Sequence, residues 1–296
     1  MRESLENDCG FDLEALEEAL ISFGGKRDSQ FGNVIILAGG AGSGKGFVLS
    51  NLIGLQGKVL DVDALKVAAS RSPLIQKKAR EEYGVDMSQM NLRNPEDTER
   101  MHYLIGKYMN LPDRKEQALF TSIMAAAPDR KPNLIFDVTL SKMSALHDIS
   151  MYAQDLGYDL DKIHIVWVIN DITIALQQNA RRSRVVPEDI FLSTHKGASM
   201  TMLDILKMGE GLQRYMDGFI YFAFNKAKVD AEIEMKARHN SESDVAFPKA
   251  SDKASYIKKA NYFIIKKPGK PPASPDELGD QILNKIRDYT PDLGNW

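Results

Sequence analysis

Eight consecutive residues, Gly39-Gly40-Ala41-Gly42-Ser43-Gly44-Lys45-Gly46, have the types and spacing to hold phosphate. A glycine-rich turn lets backbone N–H groups converge on an anion, and a lysine at the start of the next helix reaches the β- and γ-phosphates. Gly39, four residues, Gly44 and Lys45 match the Walker A spacing. That spacing counts as a signal only between a strand and a helix. Here the apolar run Val34-Ile35-Ile36-Leu37-Ala38 precedes it, and Phe47-Val48-Leu49-Ser50-Asn51-Leu52-Ile53 follows. A nucleoside-triphosphate site built from Gly39, Gly40, Ala41, Gly42, Ser43, Gly44, Lys45, Gly46 and Phe47 is therefore expected. Gly46 occupies the position where the motif carries Ser or Thr, whose hydroxyl normally coordinates Mg²⁺. The metal then falls to carboxylates, water, phosphate oxygens or the neighbouring Ser43.

Carboxylates end two further apolar segments. Lys58-Val59-Leu60-Asp61-Val62-Asp63 delivers Asp61 and Asp63 two residues apart, so an extended backbone points both the same way. Asp63 suits either a cap on the following helix or a carboxylate near the transferred phosphate. Pro132-Asn133-Leu134-Ile135-Phe136-Asp137-Val138-Thr139 ends in Asp137, as a Walker B strand does. A carboxylate there binds Mg²⁺ directly or through water, or else caps the strand end. Arg181, Arg182 and Arg184 form a basic cluster before Val185-Val186-Pro187. It fits a lid over triphosphate oxygens or a solvated basic turn.

These groups need a parallel sheet with its carboxyl edge at the ligand. Strands are expected over 34–38, 58–63, 132–139, 162–170 and 219–225, the third apolar throughout and therefore buried on both faces. The fold class is thus α/β: a P-loop NTPase-type three-layer sandwich with a five-stranded, mainly parallel sheet. A helical insertion over 64–127 is far longer than a minimal crossover and suits acceptor binding. Residues 1–30 read as an amphipathic helix and loop, 31–225 as the core, and 226–296 as an extension with a strand at 262–265 and a helix at 275–289. His164, inside the fourth strand, reads as a satisfied core histidine.

The chain has 296 residues, 43% hydrophobic, with a formal net charge of −3, so it can bury one substantial core. Such a balance gives no global attraction to polyanions; a nucleic-acid partner needs a local basic patch. The only cysteine, Cys9, excludes an internal disulfide and a cysteine-based zinc cluster. No run of about 18 apolar residues is present, so neither a membrane span nor a secretion leader is expected, and the location expected is cytoplasmic.

Taken in order, the phosphate loop, "LDVDALK", "LIFDVTLS" and "ARRSRVVPEDIFLSTH" resemble the zeta-toxin-like P-loop kinases and related phage-encoded and polynucleotide kinases, over roughly residues 33–215. The resemblance implies ATP and Mg²⁺ as cofactors and a hydroxyl-bearing acceptor, either DNA or a nucleotide. It makes Asp63 the general base, with Asp61 beside it at the acceptor. It places Asp137 and Thr139 at acceptor or metal, and Arg184 and Arg181 on the phosphates. Gly46, and aspartate at 137 where the toxins have glutamate, point to a phage branch acting on 5-hydroxymethyl-pyrimidine bases in DNA. A nucleotide-sugar kinase and an ATPase or switch without an organic acceptor are the alternatives.

Overall fold

The computed structural model describes residues 31–51, 57–60, 71–108, 125–182, 185–225 and 262–290, with Ile21, Phe23, Ile53, Leu55, Thr121 and Ile123. The expectations for the N-terminal helix, for Asp61, Asp63 and Arg184, and for 226–261 fall outside these residues.

Six strands form one sheet: β1 (Val34–Ala38), β2 (Lys58–Leu60), β3 (Leu134–Asp137), β4 (Ile163–Asn170), β5 (Ile220–Asn225) and β6 (Tyr262–Lys266). Their order is β2-β3-β1-β4-β5-β6. The first five are parallel. β6 pairs antiparallel with β5, so the sheet has six strands where five were expected. The C-terminal strand is part of the sheet itself, because the apolar edge of β5 would otherwise be left unpaired. The alternation along each strand divides the core. Val34, Ile36, Phe136, Ile165, Trp167 and Phe222 face one side, packed by α4 (Met143–Asp155), α6 (Glu188–Lys207) and α7 (Asp280–Tyr289). Ile35, Leu37, Ile135, Val166, Val168 and Tyr221 face the other, with Val48 of α1 (Lys45–Asn51), Ile21 and Phe23.

The insertion carries α2 (Pro73–Tyr83) and α3 (Pro95–Tyr103), whose caps are sequence-encoded. Ser72 and Asn94 accept N-terminal amides, a proline follows each, and Gly84 closes α2 in the left-handed conformation. These helices bury a small core of their own around Ala79, Met87, Met101, Leu104 and Ile105. α5 (Ile172–Arg181) is capped by Asp171, which accepts the amides of Thr173 and Ile174. It follows β4 and carries Arg181 in its last turn.

At the amino edge His164 is the core histidine expected. It lies within 3.1 Å of Asn33 Oδ1 through Nε2, and its Nδ1 accepts the Phe219 amide at 2.9 Å. Burial pushes it down to about 3, reinforced by the Lys162 and Lys266 charges, so the ring is neutral.

Candidate active site

The glycine loop follows β1 directly and ends in α1, the strand–loop–helix arrangement its spacing requires. Gly42 and Gly44 have φ of 71° and 92°, a region glycine enters without strain. Most of the loop's own hydrogen bonds run outward or along the turn. Ser43 N–H donates to Gly40 O at 3.3 Å, and Phe47 and Val48 N–H donate to Gly44 O. Among the described residues, the amides of Gly40, Gly42, Gly44 and Gly46 donate to no protein group. That is the donor set of an anion cradle. It fits a polyphosphate chain.

Lys45 Nζ donates to Gly39 O at 2.8 Å and Gly40 O at 3.4 Å, and lies 3.6 Å from Asp137 Oδ1. The lysine that the spacing aims at phosphate and the carboxylate that ends β3 are therefore paired. The turn after β3 is stitched to the loop entry: Val138 N–H donates to Leu37 O at 3.2 Å, and Gly39 N–H to Thr139 O at 3.4 Å. Leu140, buried, sits at φ 49° to make that turn. A non-glycine residue in this region costs about 1–3 kcal/mol and is held by its surroundings. Thr139 Oγ1 donates to Ser141 Oγ at 3.4 Å and is half-buried at the same edge.

Ser43, the other residue of the loop expected at a metal, is buried. Its Oγ is buried without a hydrogen-bond partner, 2.9 Å from where a Cβ on Gly39 would stand. Asp137, the carboxylate expected to bind the metal, keeps 22% side-chain exposure. Gly46 is exposed, and a Cβ built there meets nothing within 4 Å.

Arg181 ends α5 and Arg182 caps it; both are exposed. Ala175 of the same helix presents its carbonyl oxygen 2.5 Å from a Cβ position on Gly42. Arg181 lies six residues further on, about 9 Å along the axis at the α-helical rise. The insertion reaches the same helix end, where Arg93 Nη2 donates to Ala180 O at 3.2 Å.

Three groups that hold the loop were not assigned that work from the sequence. Asn225, at the end of β5, donates from Nδ2 to Ser43 O at 2.8 Å. Thr194 and His195 of α6 hold Ala41: its N–H donates to Thr194 Oγ1 at 3.3 Å, and His195 Nε2 lies 2.7 Å from its O. The only advance signal was polar residues at the end of an apolar strand and on a helix that is otherwise core.

A parallel sheet with β1 between β3 and β4, a glycine loop after β1 and an acid at the end of β3 define a P-loop NTPase-type α/β protein. No protein-family model matches the chain, and no curated protein matches it. Solved structures that it is similar to include one from the PezAT chromosomal toxin–antitoxin system of the human pathogen Streptococcus pneumoniae: 17% identity, 67% of this chain and 69% of that chain, TM-score 0.38. The AvrRxo1-ORF1:AvrRxo1-ORF2 complex is similar with ATP (12% identity, 96% and 68% coverage, TM-score 0.44) and with sulphate ions (15%, 72% and 58%, 0.40). At such identities and TM-scores the likeness says nothing about which groups do chemistry in this chain. Among the described residues no helix is long and apolar enough to cross a membrane, and no cluster of three or more His, Cys, Asp or Glu could hold a metal ion.

Proposed function

We propose that this chain is a kinase that transfers the γ-phosphoryl group of ATP to a hydroxyl of a nucleotide-type acceptor. The observation that carries the reading is the glycine loop, four of whose amides donate to no group among the described residues, next to the Lys45–Asp137 pair. The loop amides and Lys45 bind the phosphates. Asp137 is the group that would hold Mg²⁺, which would supply charge neutralisation at the phosphates. Lys45 leaves Asp137 and the Gly39 carbonyl for phosphate oxygens, which exchanges one anionic partner for another. Asp63 takes the proton of the acceptor hydroxyl, and Asp61 orients the acceptor beside it. Arg181, Arg182 and Arg184 neutralise charge as the bond to the leaving phosphate breaks. Positioning and electrostatics account for nearly all the work such a transfer needs from a protein.

The acceptor we put first is a hydroxymethyl-pyrimidine base in DNA, from the departures at Gly46 and Asp137; the insertion 64–127 selects it. The test is incubation with labelled ATP and Mg²⁺ against hydroxymethylated DNA, polynucleotide ends, nucleosides and nucleotide sugars, with Lys45→Ala as control. Labelled hydroxymethylated DNA, lost in a folded Lys45→Ala variant, is the expected result. Label on a nucleotide sugar alone corrects the acceptor and keeps the chemistry. Phosphate release that no acceptor stimulates refutes the kinase reading, and near-normal turnover by folded Lys45→Ala refutes the site.

A further inference from the structure

The amino-terminal half of α6 is built against the phosphate loop, while its other half packs under the sheet through Met202, Leu203, Ile205 and Leu206. Thr194 and His195 meet one residue, Ala41, from both of its polar sides. Thr194 Oγ1 accepts the Ala41 N–H and itself donates to Phe191 O at 2.8 Å. His195 Nε2, the donor to Ala41 O, lies 2.7 Å away. The imidazole is 5% exposed and packs on Phe191 with ring centroids 4.6 Å apart. Burial and this ring contact hold it against the carbonyl. Burial lowers its pKa to about 4, with the Lys45 charge acting in the same direction and the Ala41 hydrogen bond against them.

The same ring fixes the residue before Ala41. A Cβ on Gly40 would stand 2.2 Å from His195 Cδ2, 2.3 Å from Cγ and 2.5 Å from Nε2. Gly40 is not at positive φ. Its lack of a side chain is thus a matter of room and not of backbone conformation. We propose that His195 is a positioning residue for the phosphate loop: it pins the Ala41 carbonyl outward so that the Gly42 and Gly44 amides converge on phosphate, and it is the reason position 40 must be glycine.

This inference rests on the phosphate-loop reading for its binding readout, but the Gly40–His195 coupling can be measured without nucleotide. Five proteins are compared by calorimetric titration with ATP and Mg²⁺ and by urea unfolding without nucleotide: wild type, His195→Gln, His195→Ala, Gly40→Ala and Gly40→Ala/His195→Ala. His195→Ala should weaken ATP about tenfold, the order of one lost hydrogen bond. His195→Gln, whose amide can donate to Ala41 O, should recover most of that loss. Gly40→Ala should bind ATP worst, and removing His195 in the same chain should restore binding at least about fivefold, since the two changes share one contact. Wild-type affinity in His195→Ala, or a double variant no better than Gly40→Ala, overturns the inference. Should Gly40→Ala not fold, the Gln-against-Ala comparison still decides the positioning role. Should wild type bind no ATP, the nucleotide reading falls, and additive unfolding midpoints for Gly40→Ala and His195→Ala would sink the coupling separately.

Discussion

Replacing Gly46 by serine restores the hydroxyl that the Walker A pattern normally presents, and the local geometry sets the expected size of the effect. Gly46 is the second residue of α1, lies outside the positive-φ region and has open space where a Cβ would go. Exchanging glycine for serine inside a helix gains about 0.5 kcal/mol of propensity, so the variant should be as stable as wild type or slightly more. Gly44→Ala in the same loop is the opposite case. Its φ is 92°, and a Cβ would stand 1.8 Å from Asn225 Nδ2, the donor to Ser43 O. Left-handed backbone costs about 1–2 kcal/mol and the lost hydrogen bond about 1 more, giving roughly 2–3 kcal/mol of destabilisation. Urea unfolding midpoints measure both. Titrating Mg²⁺ into protein with ATP then reads the metal: Gly46→Ser should lower the half-saturating concentration, and Asp137→Asn should raise it. Destabilisation of Gly46→Ser by more than about 1 kcal/mol would refute the open-space argument, well outside the ordinary range of surface changes. An unchanged Mg²⁺ titration in Asp137→Asn would remove the metal role given to that carboxylate.

With the true acceptor, Asp63→Asn should reduce turnover roughly 10²–10⁴-fold while ATP still binds, and Asp61→Asn should matter less; the reverse ranking moves the base to Asp61. Stability should fall as pH drops from 7 to 5. His164 and His195 are depressed to about 3 and about 4 by burial, so the unfolded chain takes up their protons first near the ordinary 6.5. Each should then contribute a slope of about 1.4 kcal/mol per pH unit below 6.5, with full stability above it. Urea midpoints at pH 7 and pH 5 check this, and His195→Gln should remove about half the slope; an unaltered slope would mean His195 is already protonated in the folded state.

What the sequence by itself determined was the local part of this protein. Glycine spacing between an apolar strand and a helix, an acid at the end of Leu134–Asp137, and apolar runs long enough for two-sided burial are all readable within ten residues. They specify the glycine loop, the parallel core and the place of Lys45 and Asp137, because strand and loop geometry follows from near neighbours in the chain. The tertiary structure alone decided which groups hold the loop. Asn225 lies 182 residues from Ser43, and His195 lies 154 from Ala41. Neither separation leaves a periodic trace, since contact across a sheet edge depends on strand order and not on spacing. The same holds for the glycines. Gly40 and Gly46 look alike in the sequence, yet an imidazole crowds one and solvent faces the other, and only packing distinguishes a glycine that must be small from one that is free to change.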